Sequence, residues 1–227
     1  MAINKKWICG ILCWCCLLVA GAQDNPQGLY QKKGGDYLPL YSGVLEPGYL
    51  RAYVNNPYWP QEYTSGNVIY RNLEYRDVEM LIDTYRQCLL VLTNDRMRRI
   101  EVRREDVRRL EIGGMEYVWK SKEEGAPMSA YYGIIYQGKD VVCRLHYAKS
   151  PVKKIKDRQV VAEFNRREKL YLMRNGKWYE LHGLSSYLKL YKPQKEKLRK
   201  YCNEQQLQLD SDEDWKRLAS YCETFMK

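Results

Sequence analysis

Between Gly66 and Trp119 the sequence sets Val, Ile, Leu, Met or Tyr at alternate positions in short runs, broken at Arg71-Asn72, Thr93-Asn94-Asp95-Arg96 and Gly113-Gly114. A strand turns successive side chains to opposite faces, so this alternation buries one face, wets the other, and marks the breaks as hairpin turns. The chain is thereby constrained to an antiparallel meander. The same pattern continues beyond Trp119, giving expected strands at 67–71, 73–85, 88–93, 98–103, 107–112, 115–119, 131–136, 140–147, 160–164, 169–174 and 177–181. Asn175-Gly176 is the strongest hairpin signal, because this dipeptide readily supplies the two positive φ angles of a type I′ turn. So many hairpins must hide their edges, which a barrel-like sheet, a half-barrel or a two-layer sandwich would do.

The flanks differ in texture. Residues 23–65 scatter Tyr30, Tyr37, Tyr41, Tyr49, Tyr53, Tyr58, Trp59 and Tyr63 among Gly, Pro and Asn, and read as an extended aromatic arm. The arm either wraps the sheet as structural cover or uses rings such as Tyr58 and Trp59 to line a groove for a sugar or peptide. The basic stretch 150–158 reads as a solvated connection. After Gly183 the period becomes helical. A short helix is expected to start at Ser185 or Ser186 and end before Lys192-Pro193, and a second to carry Leu198, Tyr201 and Cys202. Ser211 is expected to cap the last helix, with Asp212, Glu213 and Asp214 in its first turn. The fold class is therefore mainly β (α+β). Residues 66–183 form the meander, and 184–227 form a C-terminal helical hairpin packed on itself or across an open end of the sheet.

Lys5-Lys6, an apolar run from Trp7 to Ala20 and the small residues Ala20-Gly21-Ala22 make 1–22 an export signal. The run is shorter than the roughly 20 residues a helix needs to span a bilayer, so cleavage is expected rather than a retained anchor. The expected address is the periplasm or the outer membrane, with membrane association peripheral at most. Without Lys5 and Lys6 of the signal, 36 basic and 28 acidic residues leave a net charge of +8, which points to an envelope protein, an acidic glycan or an anionic lipid as partner, and away from nucleic acid. Behind the signal stand Cys88, Cys143, Cys202 and Cys222, which allow three full pairings. Cys88 and Cys143 share strand faces with leucines and read as buried thiols, whereas Cys202 and Cys222, on adjacent helices, are candidates for a disulfide.

Candidate chemistry is sparse. Arg96, Arg98, Arg99, Arg103, Arg104, Arg108 and Arg109 are interleaved with Glu101, Glu105 and Asp106; on a strand pair, alternation sends Ile100 and Val102 inward and Arg99, Glu101 and Arg103 outward, clustering the arginines on one solvated surface. Arg99, Arg103 and Arg108 are accordingly candidates to bind carboxylate or phosphate groups, the alternative being a solvated face laced with ion pairs. His146 alternates with Cys143 and Leu145 and reads as a rim residue, as does His182. Glu74 with Asp77, or Glu79 with Asp83, are the nearest approach to the paired carboxylates of a glycoside hydrolase. No nucleophile elbow, zinc motif or phosphate loop occurs, so no catalytic residue, cofactor or metal is expected. A non-catalytic binding or assembly module is the expectation, with a hydrolase of envelope or dietary polymers as the alternative.

The run Gly66-Asn67-Val68-Ile69-Tyr70, the segment Tyr75-Arg76-Asp77-Val78-Glu79-Met80, Asp83-Thr84-Tyr85 and Leu89-Leu90-Val91-Leu92 resemble a pattern in uncharacterised exported proteins of Bacteroidota. The tail Leu198-Arg199-Lys200-Tyr201-Cys202-Asn203, followed by an acidic-start helix, is similar too. The resemblance implies a β-meander followed by a helical pair and an envelope address. It transfers no site, because its motifs are aromatic and aliphatic spacings.

Overall fold

The computed structural model describes residues 26–49, 53–156 and 159–226, so the expected export signal lies outside the described residues. The chain divides into two compact units, Met1–Gly35 and Asp36–Lys227. In the first, helix α1 (Pro26–Gly34) ends on Lys32 and Lys33, cations that suit the carbonyl end of a helix.

The second unit is built on one antiparallel sheet of eleven strands: β1 (Val44–Leu45), β2 (Tyr58–Tyr70), β3 (Leu73–Asp83), β4 (Cys88–Leu92), β5 (Arg99–Glu101), β6 (Val107–Ile112), β7 (Met115–Lys120), β8 (Ala130–Gln137), β9 (Val141–Lys156), β10 (Gln159–Arg174) and β11 (Lys177–Leu181). Their spatial order is β1-β5-β4-β3-β2-β6-β7-β8-β9-β10-β11, with β1 and β11 as unjoined ends, so the sheet is not closed. The turns are those the dipeptides require. Arg71 and Asn72 sit at φ 49° and 65°, Gly113 and Gly114 at 58° and 79°, and Asn175 and Gly176 at 50° and 72°, which is the doubly positive φ of a type I′ hairpin.

Three expectations are corrected. The strands that hold the arginines are not a pair: β4, β3 and β2 lie between β5 and β6. β6 instead lines up on the far side of β2, Leu110 beside Val68 and Ile112 beside Gly66, which continues one buried face. Asp106 fixes this return, its carboxylate accepting hydrogen bonds from Tyr70 Oη (3.1 Å) and Arg71 Nε (2.8 Å). Next, the basic stretch after Lys149 is strand, because β9 runs on to Lys156 and pairs with β10 as far as Gln159. Last, the aromatic arm has no boundary at residue 66. β2 begins at Tyr58, and Val44–Leu45 pairs with β5.

The two halves of the sheet are covered differently. Along β2–β7 one face gathers Val68, Tyr70, Met80, Val91, Ile100 and Leu110 into a core that Leu38, Leu40 and Tyr41 complete. The middle of β3 and β4 is buried on its other face too, with Leu81 and Leu90 beneath Tyr49 and Tyr63, which accounts for the unbroken apolar run Cys88–Leu92. Along β8–β11, Ile135, Val142, Leu170, Leu172 and Leu181 pack under α2 (Leu184–Leu190), α3 (Lys195–Glu204) and α4 (Asp212–Glu223). The helices thus lie on a face of the sheet. Leu198, Cys202, Trp215, Leu218 and Cys222 form their apolar stripe, and Ser211 caps α4 by accepting from Asp214 N (3.1 Å).

Candidate functional site

The two halves of the sheet are joined along β7–β8, and they meet again where the chain entering β2 reaches β9 and β10. Val54 N donates to Ala162 O (2.8 Å), while the Asn55 side chain accepts from Phe164 N (2.8 Å) and donates to Phe164 O (3.0 Å). The β3–β4 turn makes the second tie. Thr84 O accepts from Ala148 N (3.0 Å). The buried Gln87 amide donates to Thr84 O (2.8 Å) and His146 O (3.0 Å) and accepts from Tyr131 N (3.1 Å). Gln87 therefore satisfies backbone groups from both halves, a role that an apolar side chain cannot fill.

At this seam β2 is bulged. Trp59 pairs with Ile82 and Thr64 with Met80, so residues 60–63 stand opposite Leu81 alone. A bulge of this kind re-aims the side chains beside it. The Trp59 ring stacks on His146, with centroids 3.7 Å apart and planes at 16°, and its Nε1 donates to Tyr117 Oη (2.9 Å). His146 lies on the helix-covered face of β9 with Arg144, directly opposite Glu168 of β10. Burial first, and then the charge of Arg144, lower its pKa from 6.5 to about 3. The Glu168 carboxylate, 3.9 Å from Nδ1, is too distant to offset that, so the ring is neutral at physiological pH. Arg144 forks to both acids of the site: Nη1 meets Glu168 (2.9 Å), while Nη2 and Nε meet Asp212 at the start of α4 (2.7 and 2.9 Å).

Two adjoining hollows open around the Trp59–His146 stack, and a third lies beyond Arg166. One, of about 420 Å³, has Thr64, Met115, Tyr117, Arg144, Asp210 and Asp212 in its wall. The next, of about 350 Å³, shares Trp59, His146 and Glu168 with it and adds Gln61, Tyr147, Arg166 and Arg167. The third, of about 450 Å³, shares Arg166 and runs along Asn55, Val152, Lys154 and Glu163. The first two together make a groove walled by rings, carboxylates and arginines; the third touches it only at Arg166. Register places Arg166 on the same face as Glu168 and His146, and it makes no ion pair with a described residue. Among the described residues no cluster of His, Cys, Asp and Glu is arranged to hold a metal ion.

Of the residues singled out from sequence, Tyr58 and Trp59 line this groove, Tyr58 with its ring buried. Arg99, Arg103 and Arg108 do not. Arg99 faces the buried Glu46 at 3.6 Å on β5, and Arg103 and Arg108 are exposed, before and within β6. The neighbouring arginines are occupied: Arg96 by Glu79, Arg98 by Asp36 and Arg109 by Glu116. Three of the four paired carboxylates are likewise engaged: Glu74 by Arg76, Glu79 by Arg96, and the buried Asp83, which accepts from Tyr49 Oη (2.7 Å) and Arg86 Nε (2.9 Å). Cys202 and Cys222 are free, buried thiols inside one apolar cluster, so the expected bridge is not formed; Cys88 and Cys143 are free and buried as expected. Burial raises all four thiols above their ordinary range, which keeps them unreactive. Arg144, His146, Glu168 and Asp212 were not legible as a site, because their only signal is that three of them alternate on strands whose partner could not be known.

No protein-family model matches the chain, and no curated protein or solved structure matches it. No helix among the described residues is long and apolar enough to cross a membrane.

Proposed function

We propose that this is an exported, non-catalytic binding module of the cell envelope whose groove takes an acidic glycan chain. The observation that carries the reading is the pair of adjoining hollows, of about 420 and 350 Å³, that share Trp59, the ring surface at His146 and the Glu168 carboxylate, with Arg166 in the wall of the second. Flat amphipathic rings suit sugar faces, and an unengaged guanidinium suits a uronate carboxylate. Of the groups at the stack, Arg144 is paired with Glu168 and Asp212, and His146 carries no proton at neutral pH. This argues for binding over acid–base chemistry. Titration calorimetry with uronic-acid and sialic-acid hexasaccharides, and neutral cellohexaose as control, tests it. An acidic oligosaccharide binds, and Trp59→Ala and Arg166→Glu each weaken it by about tenfold or more. Absence of binding by every acidic member, or binding indifferent to both variants, refutes the reading.

A hydrolase is the second reading, favoured only by Glu168 and Asp212 sharing one wall of the groove. It requires new reducing ends from a bound glycan, abolished by Glu168→Gln.

A further inference from the structure

On the groove face, Arg144, His146 and Ala148 of β9 stand opposite Leu170, Glu168 and Arg166 of β10 in three successive rows. Rows on one face of a strand are about 7 Å apart, so a single oligosaccharide can reach all three. The Trp59–His146 stack occupies the middle row. Toward the Arg144 row lies the hollow of about 420 Å³, where one guanidinium, that of Arg144, meets three acids, Glu168, Asp210 and Asp212. Arg144 is already taken by Glu168 and Asp212. Asp210, exposed just before α4, makes no ion pair with a described residue and leaves this hollow acidic. Toward the Arg166 row lies the hollow of about 350 Å³, where Arg166 and Arg167 are exposed and likewise make no ion pair with a described residue. The charge of the groove therefore changes sign across the ring stack.

Opposite charges in two joined hollows select a ligand whose own charges are ordered the same way. A chain of uronates alone fits less well: one carboxylate meets Arg166 and Arg167, but another is carried toward Asp210, where like charge repels it. A neutral sugar leaves Asp210 without a counter-charge. A hexosamine whose amine is not acylated supplies one, as a compact ammonium with three donors. We propose that the groove takes a zwitterionic glycan in which uronate alternates with free-amine hexosamine, its carboxylate on Arg166 and Arg167 and its ammonium on Asp210. This rests on the acidic-glycan reading and names the class of glycan within it. Sliding such a chain by one sugar sets each charge against its like, so Asp210 and Arg166 together fix its register over Trp59.

Titration calorimetry of the full chain tests it at about pH 6, where a primary amine is protonated and His146 is still neutral. Two hexasaccharides of alternating glucuronate and glucosamine are compared, identical except that the amines of one are acetylated. The ratio of their affinities isolates the ammonium from everything the two ligands share. The free-amine form should bind about fivefold more tightly, by a margin that shrinks as salt rises. Asp210→Asn should bring the ratio to about one, and Asp210→Lys should reverse it. Both variants change one exposed side chain, and circular dichroism checks that they fold. Equal binding of the two forms, tighter binding of the acetylated form, or a preference that survives both Asp210 variants overturns the proposal and leaves the acidic-glycan reading standing. Failure of both hexasaccharides to bind also overturns it, and the uronic-acid and sialic-acid hexasaccharides then decide the broader reading separately.

Discussion

Along β2–β7 the buried face is completed by the segment that precedes it, through Leu38, Leu40 and Tyr41, whereas along β8–β11 it is completed by the helices that follow, through Trp215, Leu218 and Cys222. The strands themselves are built alike. Alternation decides which residues go inward and says nothing about what will cover them. The lesson lies at the seam: the helices reach Arg144 only through Asp212 and stop short of His146 and Glu168, and the preceding segment ends at Trp59, so polar groups fill the gap and a groove remains. The candidate site exists because two ways of covering one sheet do not quite meet.

The comparison can be broken from either side. Leu218, fully buried on the sheet-facing stripe of α4, is the firmest handle on the second half. Leu218→Ala should cost about 4 kcal/mol in urea denaturation and should free the amides of β8–β11 to hydrogen exchange before those of β3 and β4. Equal loss of protection in both halves would show that they are covered as one core.

Acid probes the seam itself. Native His146 stays neutral down to about pH 3, while an unfolded histidine titrates near 6.5. Between those values the unfolded chain binds the extra proton, so His146's contribution is intact above pH 6.5 and is lost progressively as pH falls toward 3. At pH 4 the loss amounts to about 3 kcal/mol. His146→Phe keeps a ring against Trp59 and should flatten that part of the stability profile between pH 7 and 4; an unchanged profile would place His146 in water.

Gln87→Leu leaves Thr84 O, His146 O and Tyr131 N without their partner, and should cost about 2 kcal/mol, with a lower thermal midpoint. A neutral result would mean that the β7–β8 ladder and the Asn55–Phe164 tie hold the halves without Gln87. Ser211→Ala, which removes the cap of α4 beside Asp212, should cost about 1 kcal/mol and loosen the wall of the first hollow.

Much of this fold was legible residue by residue. Arg71-Asn72, Gly113-Gly114 and Asn175-Gly176 announced their turns because those backbone angles are demanded locally, and Ser211 announced a helix start for the same reason. What stayed hidden is non-local. Nothing near Val107 says that it belongs beside Tyr70 rather than beside β5, so the arginines of 96–109 were placed on one surface that the strand order takes apart. The basic stretch after Lys149 hid a strand because its lysines lie on a ribbon that keeps them in water on both faces. In the groove, Trp59 was visible as an aromatic in a Pro-rich arm, but Arg144, His146, Glu168 and Asp212 come from β9, β10 and α4 and acquire meaning only when the sheet is assembled.

The claim beneath the rest is that the seam around Trp59 is a place for a ligand. Its indole N–H, bonded to Tyr117, gives a direct reporter in a 1H–15N spectrum titrated with an oligogalacturonate hexamer. The account predicts that the Trp59 cross-peak moves saturably while those of Trp119, Trp178 and Trp215 hold still. A Trp59 peak that stays fixed through saturation, with binding registered at another tryptophan or at none, would contradict it.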